Sequence, residues 1–274
     1  MAYGPRPIGT LDETLRGAGR RLAEGVPSVE SSLLIARDRY ARAVVAARTL
    51  RNRLRYAAPP EPYRLIRVDP ADIQRCVELH AAKFAEAGVV AGGDWDRERE
   101  RFADLDVFRA YRAHFEDGVP WEETTFYDRI VDELDGGLVR WGCRTEAEFR
   151  RRCRRLDDLY ETIRDEGYRS QAELLVEGGR DPIDSDRRSR LLTERLKDEI
   201  AVHVGRDGEV LFEDGRNRLS IAKLLDLDSI PVRVLRRHAD WQAVRDAYVR
   251  GDPAVVDRDD HPDLAPLSFG SVVD

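Results

Sequence analysis

The sequence predicts an α+β fold, and three observations carry that expectation. Helical spacing of apolar residues dominates residues 97–176, alternating apolar residues mark strands near 200–204 and 210–212, and a proline-marked apolar run, Ile230-Pro231-Val232, follows a short helical segment. At 274 residues with 42% hydrophobic content the chain is long enough for a sizeable core. It contains no run of about 18 apolar residues, and its first twenty residues show neither the basic nor the apolar region of a secretory signal, so no membrane span and a cytoplasmic location are expected. Cys76, Cys143 and Cys153 form no CxxC pair and read as reduced thiols.

The formal charge is -7, from 53 acidic against 46 basic residues, and the only lysines are Lys83, Lys197 and Lys223. An acidic, lysine-poor, halophile-like composition suggests a GC-rich and salt-adapted source. It also excludes nonspecific binding of a polyanion by the whole surface. The exception is local. Residues 31–58 hold seven arginines and one acid, Asp38, a net +6, with Leu33, Ala36, Tyr40, Ala43, Ala47, Leu50 and Leu54 at alternating three- and four-residue steps. This is a basic amphipathic helix, ended by Pro59-Pro60-Glu61-Pro62 acting as a linker. We take residues 1–58 as an N-terminal arm and 59–274 as the main domain. The arm is either packed on the domain with its arginines solvated, offered to a nucleic acid or acidic partner, or laid on a membrane surface.

Residues 64–68 read as a strand, and 71–86 as a helix carrying Ile73, Val77, His80 and Phe84 on one face; Cys76 and His80 share it but are too few for a metal site. The glycine-softened loop 89–96 presents Asp94 and Asp96 around Trp95. It reads as a ligand or Mg²⁺ loop, or equally as a capped helix start anchored by the tryptophan. Helices are expected over 98–115, 121–134 and 146–168. The run Arg150 to Arg155 resembles a nucleic-acid stripe, but Glu146/Arg150, Glu148/Arg152 and Arg154/Asp158 stand four apart, the spacing of solvated helix-surface pairs. A polar loop at 178–186 and a short helix at 188–198 precede the last third.

There, Ile200, Val202 and Val204 define a strand, with His203 half-exposed on its other face, and Arg206-Asp207-Gly208 turns it into Val210-Leu211-Phe212. Asp214-Gly215 then opens a helix over Leu219 to Leu225. That places Arg216, Asn217 and Arg218 at a helix start, where free N–H groups and the helix dipole already favour an anion. Two arginines added there make sense for a multiply charged anion held by charge-assisted bonds.

The segment from Asp198 to His238, with its hairpin, its Asp214-Gly215-Arg216-Asn217-Arg218 corner, its helix and its Ile-Pro-Val strand, resembles the core of the ParB-like and sulfiredoxin-like superfamily. The stretch Leu156 to Leu174, with Gly167-Tyr168-Arg169-Ser170-Gln171, is similar to that family's first box. The resemblance spans about residues 156–250. It implies a small mixed sheet with helices, here enlarged by a mostly helical N-terminal half with an insertion at about 71–155. It further implies a nucleotide-binding corner in which Gly215 admits a phosphate, Arg218 takes the family arginine's place, Arg216 and Asn217 help clamp, and Ser170 and Gln171 form the first-box turn. Arg216 stands where sulfiredoxins carry their cysteine, so sulfinic acid reduction is excluded. Asn217 stands where other members carry histidine, and no helix-turn-helix follows.

Two ligand-binding function classes follow, beside a third reading in which the corner only packs and holds no ligand. One is an enzyme using ATP or CTP with Mg²⁺ for phosphoryl transfer or hydrolysis, with Asp214, Asp94 and Asp96 as catalytic or metal-binding carboxylates. The other is a nucleotide-gated protein that binds DNA or another partner without catalysis.

Overall fold

Strand β7 (Ile230–His238), the longest among the described residues, has neighbours on both edges and is buried along its whole length. We describe a computed structural model over residues 27–77, 79, 83–97, 100–176 and 199–268. On one edge of β7, β1 (Leu65–Val68) runs antiparallel along its first half and β3 (Val89–Ala91) parallel along its end. On the other edge lies β5 (Ala201–Val204), parallel, followed by β6 (Val210–Asp214), β2 (Arg75–Cys76) and β4 (Glu100–Arg101). The described residues thus form one mixed, seven-stranded sheet, and the fold is α+β.

Both faces of this sheet are covered. Val202, Val204, Phe212, Val232 and Val234 pack against helices α3 (Asp106–Phe115), α4 (Thr125–Asp135), α5 (Glu146–Glu166) and α7 (Arg216–Leu224), through Tyr111, Phe126, Phe149, Leu156 and Leu219 among others. The opposite face buries Ala201 and Leu235 under α1 (Pro27–Arg55) and α2 (Lys83–Glu86), and Leu211 under Val77 and Trp95. His203, expected half-exposed, is therefore fully buried; its Nε2 bonds the Glu213 carboxylate at 2.8 Å and its ring meets Trp95 edge-on.

The N-terminal helix is seated on this second face rather than free of it. Ala41 and Val45 join Phe84 and Leu235, Arg48 donates to the carbonyls of Phe84 and Ala87 at 3.2 and 2.8 Å, and Asn52 donates to that of Gly88 at 2.7 Å. The proline segment is tied in as well, since Arg233 donates to the Pro62 carbonyl at 3.1 Å.

Between 71 and 155 the chain is less helical than its spacing suggests. No helix fills 71–86: Asp69 caps a 3-10 turn at Pro70–Asp72, and Arg75–Cys76 then pairs with Leu211–Phe212 of β6. The apolar spacing of Ile73, Val77 and Phe84 thus serves sheet packing. Cys76 is buried in the core, and His80 lies outside the described residues. The helix expected over 98–115 begins only at Asp106, after β4 and a 3-10 turn at Phe102–Asp104. The expected features at 178–186 and 188–198 also fall outside the described residues.

The last third follows its sequence signals closely, with the β5–β6 hairpin, α7, β7 and α8 (Ala239–Val249) in order. Gly208 is required in the hairpin turn: its φ is +93° and a Cβ would lie 2.7 Å from the Trp241 ring. The segment after α8 is anchored by Asp263, whose carboxylate accepts from Arg237, Arg245 and Trp241. Among the described residues, no helix is long and apolar enough to cross a membrane.

Candidate anion-binding site

The corner between β6 and α7 depends on Gly215. Its φ of +96° is a left-handed conformation, and an added Cβ would stand 2.9 Å from the Ile200 backbone, so glycine alone fits on both counts. The turn delivers Arg216, Asn217 and Arg218 into the first turn of α7. Together with Asp214, Trp141 and Arg152 they line an open cleft of about 340 Å³. Asn217 is buried and accepts a hydrogen bond from the Tyr111 hydroxyl at 3.0 Å, which ties the start of α7 to α3.

Arg152 was not a candidate on sequence grounds, where it reads as half of a solvated pair with Glu148. In the fold Glu148 instead accepts from the Arg144 backbone at 2.6 Å, and Arg152 turns into the cleft, its guanidinium 5.6 Å from the centre of the Trp141 ring. Its Nε is buried without a hydrogen-bond partner, and no carboxylate among the described residues pairs with it. Burial lowers its pKa, the response of a cation held away from water. The signal was present in the sequence: Phe149, Arg152, Cys153 and Leu156 stand at i, i+3, i+4 and i+7, so Arg152 occupies a position of the buried stripe of α5.

Asp214 is the one carboxylate lining the cleft, and it is already engaged. It forms an ion pair with Lys83 at 2.7 Å and accepts the Gly215 N–H at 2.7 Å. Burial alone would raise its pKa, but Lys83 outweighs this and holds it below the ordinary value. Arg218 is also buried, and a second carboxylate interacts with it electrostatically. Glu199 lies beside Arg218 and Arg233 and accepts the Gln171 N–H at 2.9 Å; burial raises its pKa, and the two arginines oppose that rise. Arginines from two helices thus line the cleft, and the carboxylate among its lining residues, Asp214, is compensated by Lys83.

The other expected site residues stand elsewhere. Ser170 and Gln171 open α6 (Gln171–Val176), where Ser170 and Glu173 form a reciprocal capping box: Glu173 N donates to Ser170 Oγ at 3.2 Å and Ser170 N to Glu173 Oε2 at 2.7 Å. The Ser170 hydroxyl thus caps a helix. Asp96 is buried at the far end of the hairpin, where its carboxylate takes the Arg206 backbone N–H at 2.8 Å and its guanidinium at 2.6 Å. Burial opposes ionisation there, yet the Arg206 bonds hold the Asp96 pKa at about 2. Asp94 is exposed and pairs with Arg206 and Arg97. Asp214 pairs with Ala201 at the other end of the strand, about 13 Å away at the ordinary rise per residue, so Asp94 and Asp96 do not converge with it. Among the described residues no group of three or more His, Cys, Asp or Glu side chains is arranged to hold a metal, so the donors expected for Mg²⁺ do not fit one site.

A second cavity, of about 350 Å³, lies at the other end of α7. Its cations Arg101 and Lys223 are matched by Asp69 and Asp226, and Lys223 is occupied by the Pro70 carbonyl. That balance leaves no excess charge to be met by a ligand. Compared with protein-family models, with curated proteins and with solved structures, the chain matches none.

Proposed function

We propose that this protein binds a phosphate-bearing nucleotide, ATP or CTP, in the cleft at the β6–α7 corner, in a variant of the ParB/sulfiredoxin-like arrangement. The observation that carries the reading is Arg152. A half-buried guanidinium that no carboxylate among the described residues pairs with, beside Arg216 and Arg218 at a helix start, is a costly arrangement unless an anion meets it. A phosphate chain offers several oxygens to several arginines at once, and the Trp141 ring beside them provides an aromatic wall. Of the two function classes, binding without turnover is favoured. Asp94 and Asp96 are held by Arg206 at the opposite end of the hairpin, which leaves Asp214 as the carboxylate among the described residues lining the cleft.

The test is thermal unfolding of the full chain with ATP, CTP, GTP, ADP and pyrophosphate, each at low and molar salt. A ligand at 100 times its Kd adds about 2.7 kcal/mol of apparent stability. We expect stabilisation by at least one triphosphate, and its loss in Arg216→Gln and Arg152→Gln. No response to any of these compounds would remove the site. Mg²⁺-dependent turnover that disappears in Asp214→Asn would restore the enzyme reading.

A further inference from the structure

A second surface, independent of the cleft, is defined by the outer face of α1. One side of this helix is buried against α2 and the sheet, while Arg39, Arg42, Arg51, Arg53 and Arg55 are exposed. Asp38 is the only acid between residues 31 and 60, and it is buried and already paired with Arg42 at 2.6 Å. No carboxylate among the described residues pairs with Arg39, Arg51, Arg53 or Arg55. With +6 on residues 31–58 and a total of -7, the rest of the chain carries -13. A basic strip is thus set on an acidic body.

We propose that this face of α1 docks the phosphate backbone of a nucleic acid. Charge complementarity selects the partner. A second copy docked symmetrically through this face would bring one +6 helix against another. The chain's own segments do not supply the counter-charge, since residues 1–30 hold four arginines and four acids, and residues 177–198 six basic and six acidic residues. A lipid surface calls for a broad apolar face, whereas the large exposed apolar residues of α1 are Ile35, Leu50 and Leu54, separated by alanines and arginines. Alanines at 43, 46 and 47 leave room for a phosphate backbone to approach between the arginines along a helix about 44 Å long. The acidic body repels the same polymer elsewhere, which confines contact to this strip.

The experiment is fluorescence anisotropy of the full chain with labelled double-stranded and single-stranded 20-mers, in parallel with sedimentation of vesicles containing phosphatidylserine. Three to five phosphate contacts predict that affinity for the duplex falls roughly 40- to 500-fold between about 50 and about 200 mM salt. We expect R51Q/R53Q/R55Q to weaken binding by at least about 10-fold and R51E/R53E/R55E to abolish it, with melting temperatures near that of the parent, since these side chains are exposed. Stronger binding of the single strand than of the duplex assigns the strip to unpaired nucleic acid. An absence of binding at low salt, a salt-independent affinity, retention of affinity in the glutamate variant, or sedimentation with vesicles but no nucleic-acid binding would each overturn the proposal. An absence of binding or a salt-independent affinity in the parent overturns the proposal even if a variant fails to fold.

Discussion

Arg206 and Arg152 are both arginines held against an inner surface of the same domain, yet their surroundings differ. Arg206 sits in the β5–β6 turn with its backbone N–H and guanidinium bound by Asp96, and with Asp94 and the Gly93 carbonyl on its outer nitrogen. Arg152 faces the cleft at the far end of that hairpin with an aromatic ring for company and no paired carboxylate among the described residues. The first is a cation satisfied within the fold; the second awaits a partner. Before folding, the glycine-rich loop with two aspartates looked more like a site than the arginine run of α5 did. The lesson is that the functional signal of a charged residue lies in its inventory of partners.

This contrast makes opposite predictions for substitution. Breaking the satisfied pair should have the largest effect. Asp96→Ala leaves Arg206 without its buried counter-ion, and we expect a loss of about 3 kcal/mol in chemical denaturation. A stability within about 0.5 kcal/mol of the parent would show that the loop is not held by this pair.

Gly215→Ala tests the scaffold of the cleft. It forces a left-handed backbone on alanine and a contact of 2.9 Å with the Ile200 backbone. We expect about 2 kcal/mol of destabilisation, measured in the same way, together with weakened nucleotide binding. Full stability in this variant would mean that the corner can rearrange, and that its present shape is not imposed by Gly215.

The pH dependence of stability separates the two regions further. The Asp96 carboxyl titrates at about 2 in the fold against an ordinary value of 3.8. Because the folded pKa is the lower one, its contribution is complete above about pH 4 and is lost as pH falls from there toward 2. Urea denaturation across that window should show a steeper acid loss in the parent than in Asp96→Asn. Parallel curves would contradict the assignment.

Much of the last third was legible in the sequence because its determinants are local. Arg206-Asp207-Gly208 marks the hairpin, Asp214-Gly215 the corner, and Ile230-Pro231-Val232 the return strand. Residues 71–101 were not legible, because β2 and β4 are two-residue strands whose pairing with β6 and with each other is set by distant parts of the chain. Pattern alone also failed at His203: the second face of the sheet is covered by α1, α2 and the Trp95 loop, so alternation along β5 does not separate buried from exposed. Of the candidate site, Gly215, Arg216, Asn217, Arg218 and Asp214 could be read from adjacency. Arg152 could have been read only by noticing that an arginine occupies an inward position of α5.

The smallest expected change in stability belongs to the residue on which the proposed function rests. Calorimetric titration of ATP, CTP and pyrophosphate into the parent and into Arg152→Met, with the unliganded stability of both measured alongside, tests the central claim most directly. With no partner to lose, Arg152→Met should match the parent within about 1 kcal/mol or exceed it. Its affinity should fall by about 10-fold or more, the scale of a lost charge-assisted hydrogen bond. A destabilised variant that binds these ligands as well as the parent does would show that Arg152 serves the fold, and the account of the cleft would fail.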